Sequence, residues 1–330
     1  MLLLLALLAL ADPRTEPPWA TTIPAGTVAT EVATTRELAQ RTATAPADLV
    51  LFAVSEHRGS LEPCACVKRP RGSLARFLGY VVAARDAAPA PSLVAHGGYW
   101  LADAIDYAGQ LRREVALQDQ WMFRAMREVS WSAINVTAHD VAGLVALRQT
   151  GVDVSIGELP LVSAHISGPG IEPYRVVDRG GVRVGFTGLS GEAPSMADLA
   201  PYSIRPSAAA KDVIEELRAK VDVLVILSWT PTGSSVANPY RKLADVVIDA
   251  NQLPETLDAV LEKGTLTVFP AFQGVRATEV RLDIDNKKVV GALDRAVDLD
   301  SAVPSPPAIA SVTAEARREI DALKKELYGP

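Results

Sequence analysis

Three histidines, His57, His96 and His139, stand where apolar runs of the chain end. His57 follows Glu56, His139 precedes Asp140, and Asp249 closes a further apolar run. Imidazoles and carboxylates gathered at strand ends could hold one metal ion, bind an anion or move a proton. No two of them lie at a recognised ligand spacing, which favours residual polar groups lining a cleft. His165 stands apart on another run and reads as structural.

Cys64 and Cys66 are the only cysteines, separated by Ala65. A pair so spaced could be a strained small-ring disulfide, a fragment of a soft-metal site, a redox pair, or two small residues packed in a loop. The chain has no second thiol pair for a zinc site and no haem-attachment motif. In an exported protein two free adjacent thiols would be unusual, which favours the disulfide. Lys68, Arg69, Arg71 and Arg76 form a basic cluster near Arg58; it reads as a solvated loop, with anion binding as the alternative. The stretch Gly188–Glu192 misses the nucleophile-elbow spacing by one position. Asn135-Val136-Thr137 is a glycosylation sequon at the end of an apolar run, where no glycan would reach it.

The elements that must position these groups follow from composition and pattern. With 48% hydrophobic residues in 330, the chain can bury a large core. A net charge of −6 without a basic run argues against nucleic acid as a partner. Residues 2–11 are apolar, too short to span a bilayer but matching a signal-peptide core, with Ala9-Leu10-Ala11 as a cleavage site. Export to the periplasm or the extracellular space is therefore expected, although no basic residue precedes the run. No transmembrane segment is expected in the mature chain. Residues 12–46, rich in Pro, Thr and Ala, read as a linker or surface arm.

From Ala47 onward strands and helices alternate. Within ADLVLFAV (47–54) the run from Leu49 to Val54 is apolar without a break, as a strand buried on both faces should be. Helices are expected over 72–88, 113–129, 140–149, 208–221 and 313–327. Further strands are expected at 92–96, 132–136, 159–166, 174–178, 182–189, 222–228, 245–248, 266–269, 279–284 and 288–293. Ser305-Pro306-Pro307 is expected to separate a last helix (301–330 with its linker) from the body at 47–300. This order implies a layered α/β domain with mixed sheets.

Eight segments, in order, resemble the N-terminal catalytic domain of secreted 5′-nucleotidases, a branch of the calcineurin-like metallophosphoesterases. They include GSLEP (59–63), GSLARF (72–77), LVAHGG (93–98), INVTAHD (134–140), the hairpin YRVVDRGGVRVGFTGLS (174–190), DVLVILSWTPTG (222–233), DVVIDANQ (245–252) and the closing strands at 264–285. The resemblance spans roughly 47–300. It implies a four-layer α-β-β-α sandwich with mixed sheets, and in that family a centre of two metal ions that activates water against a phosphate ester.

Residue by residue, the same resemblance implies that the centre has been erased. The first Asp and His positions match Glu56 and Arg58. The bridging Asp matches Gly98, and the Asn of the Asn-His-Glu turn matches Ala138. The later Ser-His is Ser228-Trp229, and the Gly-His-x-His turn reads Asp249-Ala250-Asn251-Gln252. Only His139 with Asp140 keeps the sense of the family's His–acid pair, as a vestige. Glu56, Gly98, His139, Trp229 and Asn251 are expected to converge on one cleft, with Trp229 or Arg58 filling the metal volume and Cys64 and Cys66 at its rim. No metal and no other cofactor is expected. The expectation is an exported, non-catalytic binding or assembly subunit with an unidentified protein partner. The alternative is a residual divalent-metal phosphoesterase with a remodelled site.

Overall fold

The structure is a computed structural model that describes residues 30–33, 47–64, 70–87, 89–105, 109–151, 159–191, 199–231, 235–251 and 259–329. The signal-like segment 1–11 and most of the arm 12–46 lie outside the described residues. Within that linker or surface arm Thr30–Ala33 form a strand, β1. The physical reason is an open sheet edge, whose unpaired backbone groups β1 pairs.

The larger sheet has eight strands. Its centre is β2 (Leu49–Val54), every residue of which is buried. β3 (Ser92–His96), β4 (Ala133–Asn135), β5 (Leu161–Val162) and β7 (Ile171–Glu172) follow on one side, all parallel. On the other side lie β15 (Arg276–Asp285), antiparallel to β2, then β16 (Lys288–Asp298) and finally β1. The six-stranded sheet runs β13 (Val260–Glu262), β14 (Thr265–Val268), β12 (Val246–Asn251), β11 (Val223–Thr230), β9 (Val182–Ser190) and β8 (Arg175–Arg179). A small pair, β6 (Ile166–Ser167) and β10 (Ser203–Ile204), completes the strands.

The two sheets pack face to face through Leu49, Leu51 and Ala53 against Val184, Phe186, Val225 and Leu227. The alternate residues Val50, Phe52 and Val54 turn the other way, onto α1 (Leu74–Ala87), α2 (Arg113–Arg127) and α3 (Ala138–Gln149). On the far side Leu224 and Ile226 meet α4 (Lys211–Arg218) and the short helical turn Asn238–Leu243. The architecture is thus the four-layer α-β-β-α sandwich.

Besides the short strands β1, β7, β10 and β13, which the sequence reading did not expect, three expected elements take a different form. The run 159–166 breaks into β5 and β6, because Ala164 leaves the first sheet to donate its N–H to Gly188 of the second. The helix expected over 208–221 opens as a tighter turn, Ser207–Ala210, and its α part stops at Arg218. The Arg218 guanidinium there donates to the carbonyls of Val221 and Asp222 and ends the helix. The last helix, α5 (Pro307–Tyr328), starts at the prolines themselves, since Pro is tolerated where the N–H needs no partner. It docks on the body: Trp121 Nε1 donates to Glu319 at 3.0 Å.

Candidate functional site

The C-terminal ends of β2, β3 and β4 meet those of β9, β11 and β12 along one edge of the sandwich. Two loops there are laced together. Glu56 N–H donates to Gly98 O (3.0 Å), Arg58 N–H to Tyr99 O (3.1 Å) and Gly59 N–H to Trp100 O (2.8 Å). Glu56, Arg58 and Tyr99 are all in the left-handed region, with φ of 56°, 50° and 56°. For non-glycine residues that conformation is uncommon and strained. The lacing holds it.

Glu56 is fully buried, and both its oxygens are taken. Trp229 Nε1 donates to Oε1 at 3.0 Å, and an Arg58 Nη donates to Oε2 at 2.7 Å. Burial pushes the Glu56 carboxyl above its ordinary range, and Arg58 only partly offsets it. Trp229 reaches this point by strand alternation. Val223, Val225 and Leu227 face the opposite sheet, so Trp229 does too, and with Tyr99 and Ala250 it forms a small apolar cluster at the cleft floor.

His139 lies on the same cluster. Its ring stacks on Tyr99 with centroids 4.1 Å apart and meets Trp229 edge-on at 5.0 Å. The acid partner of His139 is Asp103, whose Oδ1 lies 2.8 Å from His139 Nδ1; Tyr99 donates its hydroxyl to the other oxygen. Burial alone would raise the Asp103 carboxyl, but these two partners bring it below its usual range. The vestigial pairing of His139 with Asp140 is therefore corrected. Asp140 turns the opposite way, back to Thr137 in the capping box that starts α3. It also accepts the N–H groups of Tyr99, Trp100 and Leu101. It is the peg on which the loop after β3 hangs, and burial raises its pKa to about 6.

The remaining expected positions fall out as follows. Gly98 has φ +112°, and a Cβ there would lie 2.6 Å from Thr137 Cγ2 and 3.0 Å from Asn135 Nδ2, so a side chain at this position is strained and needs both neighbours to give way. Ala138 is buried in the first turn of α3, where its N–H meets Ser190 Oγ. Asn251 ends β12 opposite Thr230; its side chain and Gln252 lie outside the described residues. Asp249 does not join the cleft. It has the parity of Val247, faces the outer helical layer, and lies 3.6 Å from Arg241. Cys64 is disulfide-bonded; Cys66, the only other cysteine, lies outside the described residues, as do Lys68 and Arg69.

His57 and His96 face each other instead of the cleft, with His57 Nδ1 2.9 Å from His96 Nε2. Gly98 N–H donates to His96 Nδ1, so the His96 proton sits on Nε2 and is given to His57. His57 then carries its own proton on Nε2, a buried atom with no hydrogen-bond partner among the described residues. Burial lowers His57 to about 4, and burial together with His57 pushes His96 well below its ordinary value. His165 uses both ring nitrogens, on Arg205 O and Ser190 N–H, as a structural histidine should. Sequence reasoning missed Tyr99, Asp103 and Phe272. No spacing signals that Asp103 meets a residue 36 positions away.

The layers, sheet orders and strand-end cleft define the fold of the calcineurin-like metallophosphoesterases, in its 5′-nucleotidase form. Solved structures sharing it include the 5′-nucleotidase precursor from Thermus thermophilus (18% identity, TM-score 0.61, 84% of this chain and 60% of that one). The 5′-nucleotidase from Candida albicans is 11% identical with TM-score 0.63, over 84% and 59%. The calcineurin-like phosphoesterase YfkN from Bacillus subtilis is 16% identical with TM-score 0.57, over 82% and 97%. The chain thus spans about three fifths of the two nucleotidases. At these identities the likeness is one of fold. No protein-family model matches the sequence, and no curated protein does. Among the described residues no helix is long and apolar enough to cross a membrane, and no three His, Cys, Asp or Glu side chains gather as a metal site.

Proposed function

We propose that this is an exported protein of metallophosphoesterase fold that acts by binding, as a subunit of an assembly, without metal-dependent hydrolysis. The observation that carries this reading is the occupancy of Glu56: one oxygen holds an indole N–H and the other a guanidinium. Two metal ions close enough to share a nucleophile need a bridging carboxylate and several free oxygen or imidazole ligands. Gly98 has no side chain to supply the first, and Arg58 brings a fixed positive charge into the site. The described donor set does not fit a dinuclear centre, and no step is routed through one. Export rests on the signal-like segment, and a disulfide at Cys64 suits an oxidising compartment.

The His139–Asp103 pair favours the alternative, a residual phosphoesterase, since an imidazole held by a carboxylate is a competent proton carrier. Metal analysis of the purified chain, together with turnover of nucleoside monophosphates, separates the two. The expected result is no stoichiometric Mn or Zn and no phosphate release above background. Two bound metals, or turnover that disappears in His139→Ala, would overturn the binding reading.

A further inference from the structure

We propose that the cleft is a binding site for a guanidinium group, which the chain occupies with its own Arg58. This rests on the metal-free reading of the cleft and names the chemistry it would recognise.

The surroundings of Arg58 suit a planar organic cation. Its guanidinium carbon lies 4.7 Å from the centroid of Tyr99 and 5.9 Å from that of Phe272, so π faces meet the cation. Glu56 supplies one buried carboxylate oxygen, whose partner oxygen is fixed by Trp229. Asp103, on the hydroxyl of Tyr99, adds a second carboxylate nearby. Without Arg58 the cluster would hold two carboxylates and aromatic walls. A hard divalent ion needs more oxygen ligands than Glu56 has left, and a compact ammonium ion lacks the flat face that a guanidinium lays against Tyr99 and Phe272.

Arg58 is a replaceable occupant. Its side chain is 28% exposed, so it has a way out. Only one hydrogen bond ties its guanidinium to Glu56, and its buried Nε has no hydrogen-bond partner among the described residues. Its backbone, at φ +50°, is one that glycine adopts without strain. A guanidinium not tethered to this loop could make the same contacts, whether on a small guanidino compound or on an arginine of a partner.

Arg58→Gly tests this, because it empties the site and relieves the backbone. Thermal midpoints of the full chain are titrated with N-ethylguanidinium, N-ethylammonium and an acetyl-Gly-Arg-Gly-amide peptide. Ethylguanidinium is expected to stabilise the variant saturably, at half-saturation about tenfold or more below any effect on wild type, with ethylammonium inactive. The peptide arm reads the source: stabilisation at lower concentration than ethylguanidinium points to a partner's arginine, and the reverse to a small compound. Adding Glu56→Gln is expected to abolish the response. No saturable response, equal responses to both cations, or a response that survives Glu56→Gln would overturn the proposal. Should Arg58→Gly fail to fold, its refolding yield with ethylguanidinium against ethylammonium replaces the melt, and equal yields overturn it. The metal-free reading is judged separately, by metal content and phosphate release of wild type.

Discussion

The indole N–H of Trp229 donates to Glu56 Oε1 at 3.0 Å, across 173 positions of sequence and from one sheet to the other. This bond ties the two halves of the sandwich together at the cleft floor. Trp229→Phe keeps an aromatic ring and removes the N–H, leaving a fully buried oxygen short of a donor. A loss of about 1–3 kcal/mol in unfolding free energy is expected from urea melts. An unchanged midpoint would mean that the bond contributes nothing.

Arg58→Met leaves Glu56 buried without its counter-charge, at a cost of about 3–5 kcal/mol when the carboxyl is ionised. The cost depends on pH. Burial already raises Glu56 above its ordinary 4.5, and removing Arg58 raises it further. A raised folded-state pKa means that the folded state holds its proton more tightly. The stability this gives is present below the unfolded value and lost as pH rises through the folded one. The gap between variant and wild type should therefore be small near pH 4 and wide at pH 8. Equal gaps at both would exclude Glu56 as the cause.

The His57–His96 pair acts in the opposite direction. His57 falls to about 4 from an ordinary 6.5. A depressed histidine contributes stability above its unfolded value that is lost as pH falls toward the folded one, on the order of 3 kcal/mol for this shift. Asp140, raised to about 6, gains stability over the same range and masks part of the loss. The measurement is thus a difference. His57→Gln keeps an acceptor for His96 Nε2–H, and its stability should fall less than that of wild type between pH 6.5 and 4.

Adjacent residues in α3 should behave very differently. Asp140→Ala orphans the N–H groups of Tyr99, Trp100, Leu101 and Thr137, and a loss above about 4 kcal/mol is expected. His139→Ala removes a ring at the edge of the cluster and should cost about 1–2 kcal/mol. Denaturant midpoints of the two variants compare them directly, and the reverse ranking would return Asp140 to the site.

The strands and layers were legible in the chain itself. A short unbroken apolar run such as 49–54 reads as a strand covered on both faces, and alternation with amphipathic helices leaves few ways to stack it. Position by position, the resemblance also marked Glu56, Arg58, Gly98 and Trp229 as one place. What the tertiary structure decided is who meets whom there. Alternation assigns a side chain to a face, but a one-residue difference in where a strand starts turns Asp249 outward and Ala250 inward. Whether His139 pairs with its neighbour Asp140 or with Asp103 depends on the capping geometry of α3, which draws Asp140 back to Thr137. Glu56 and Trp229 meet only because two sheets pack with their strand ends aligned, a distance set by the summed volumes of the side chains between them.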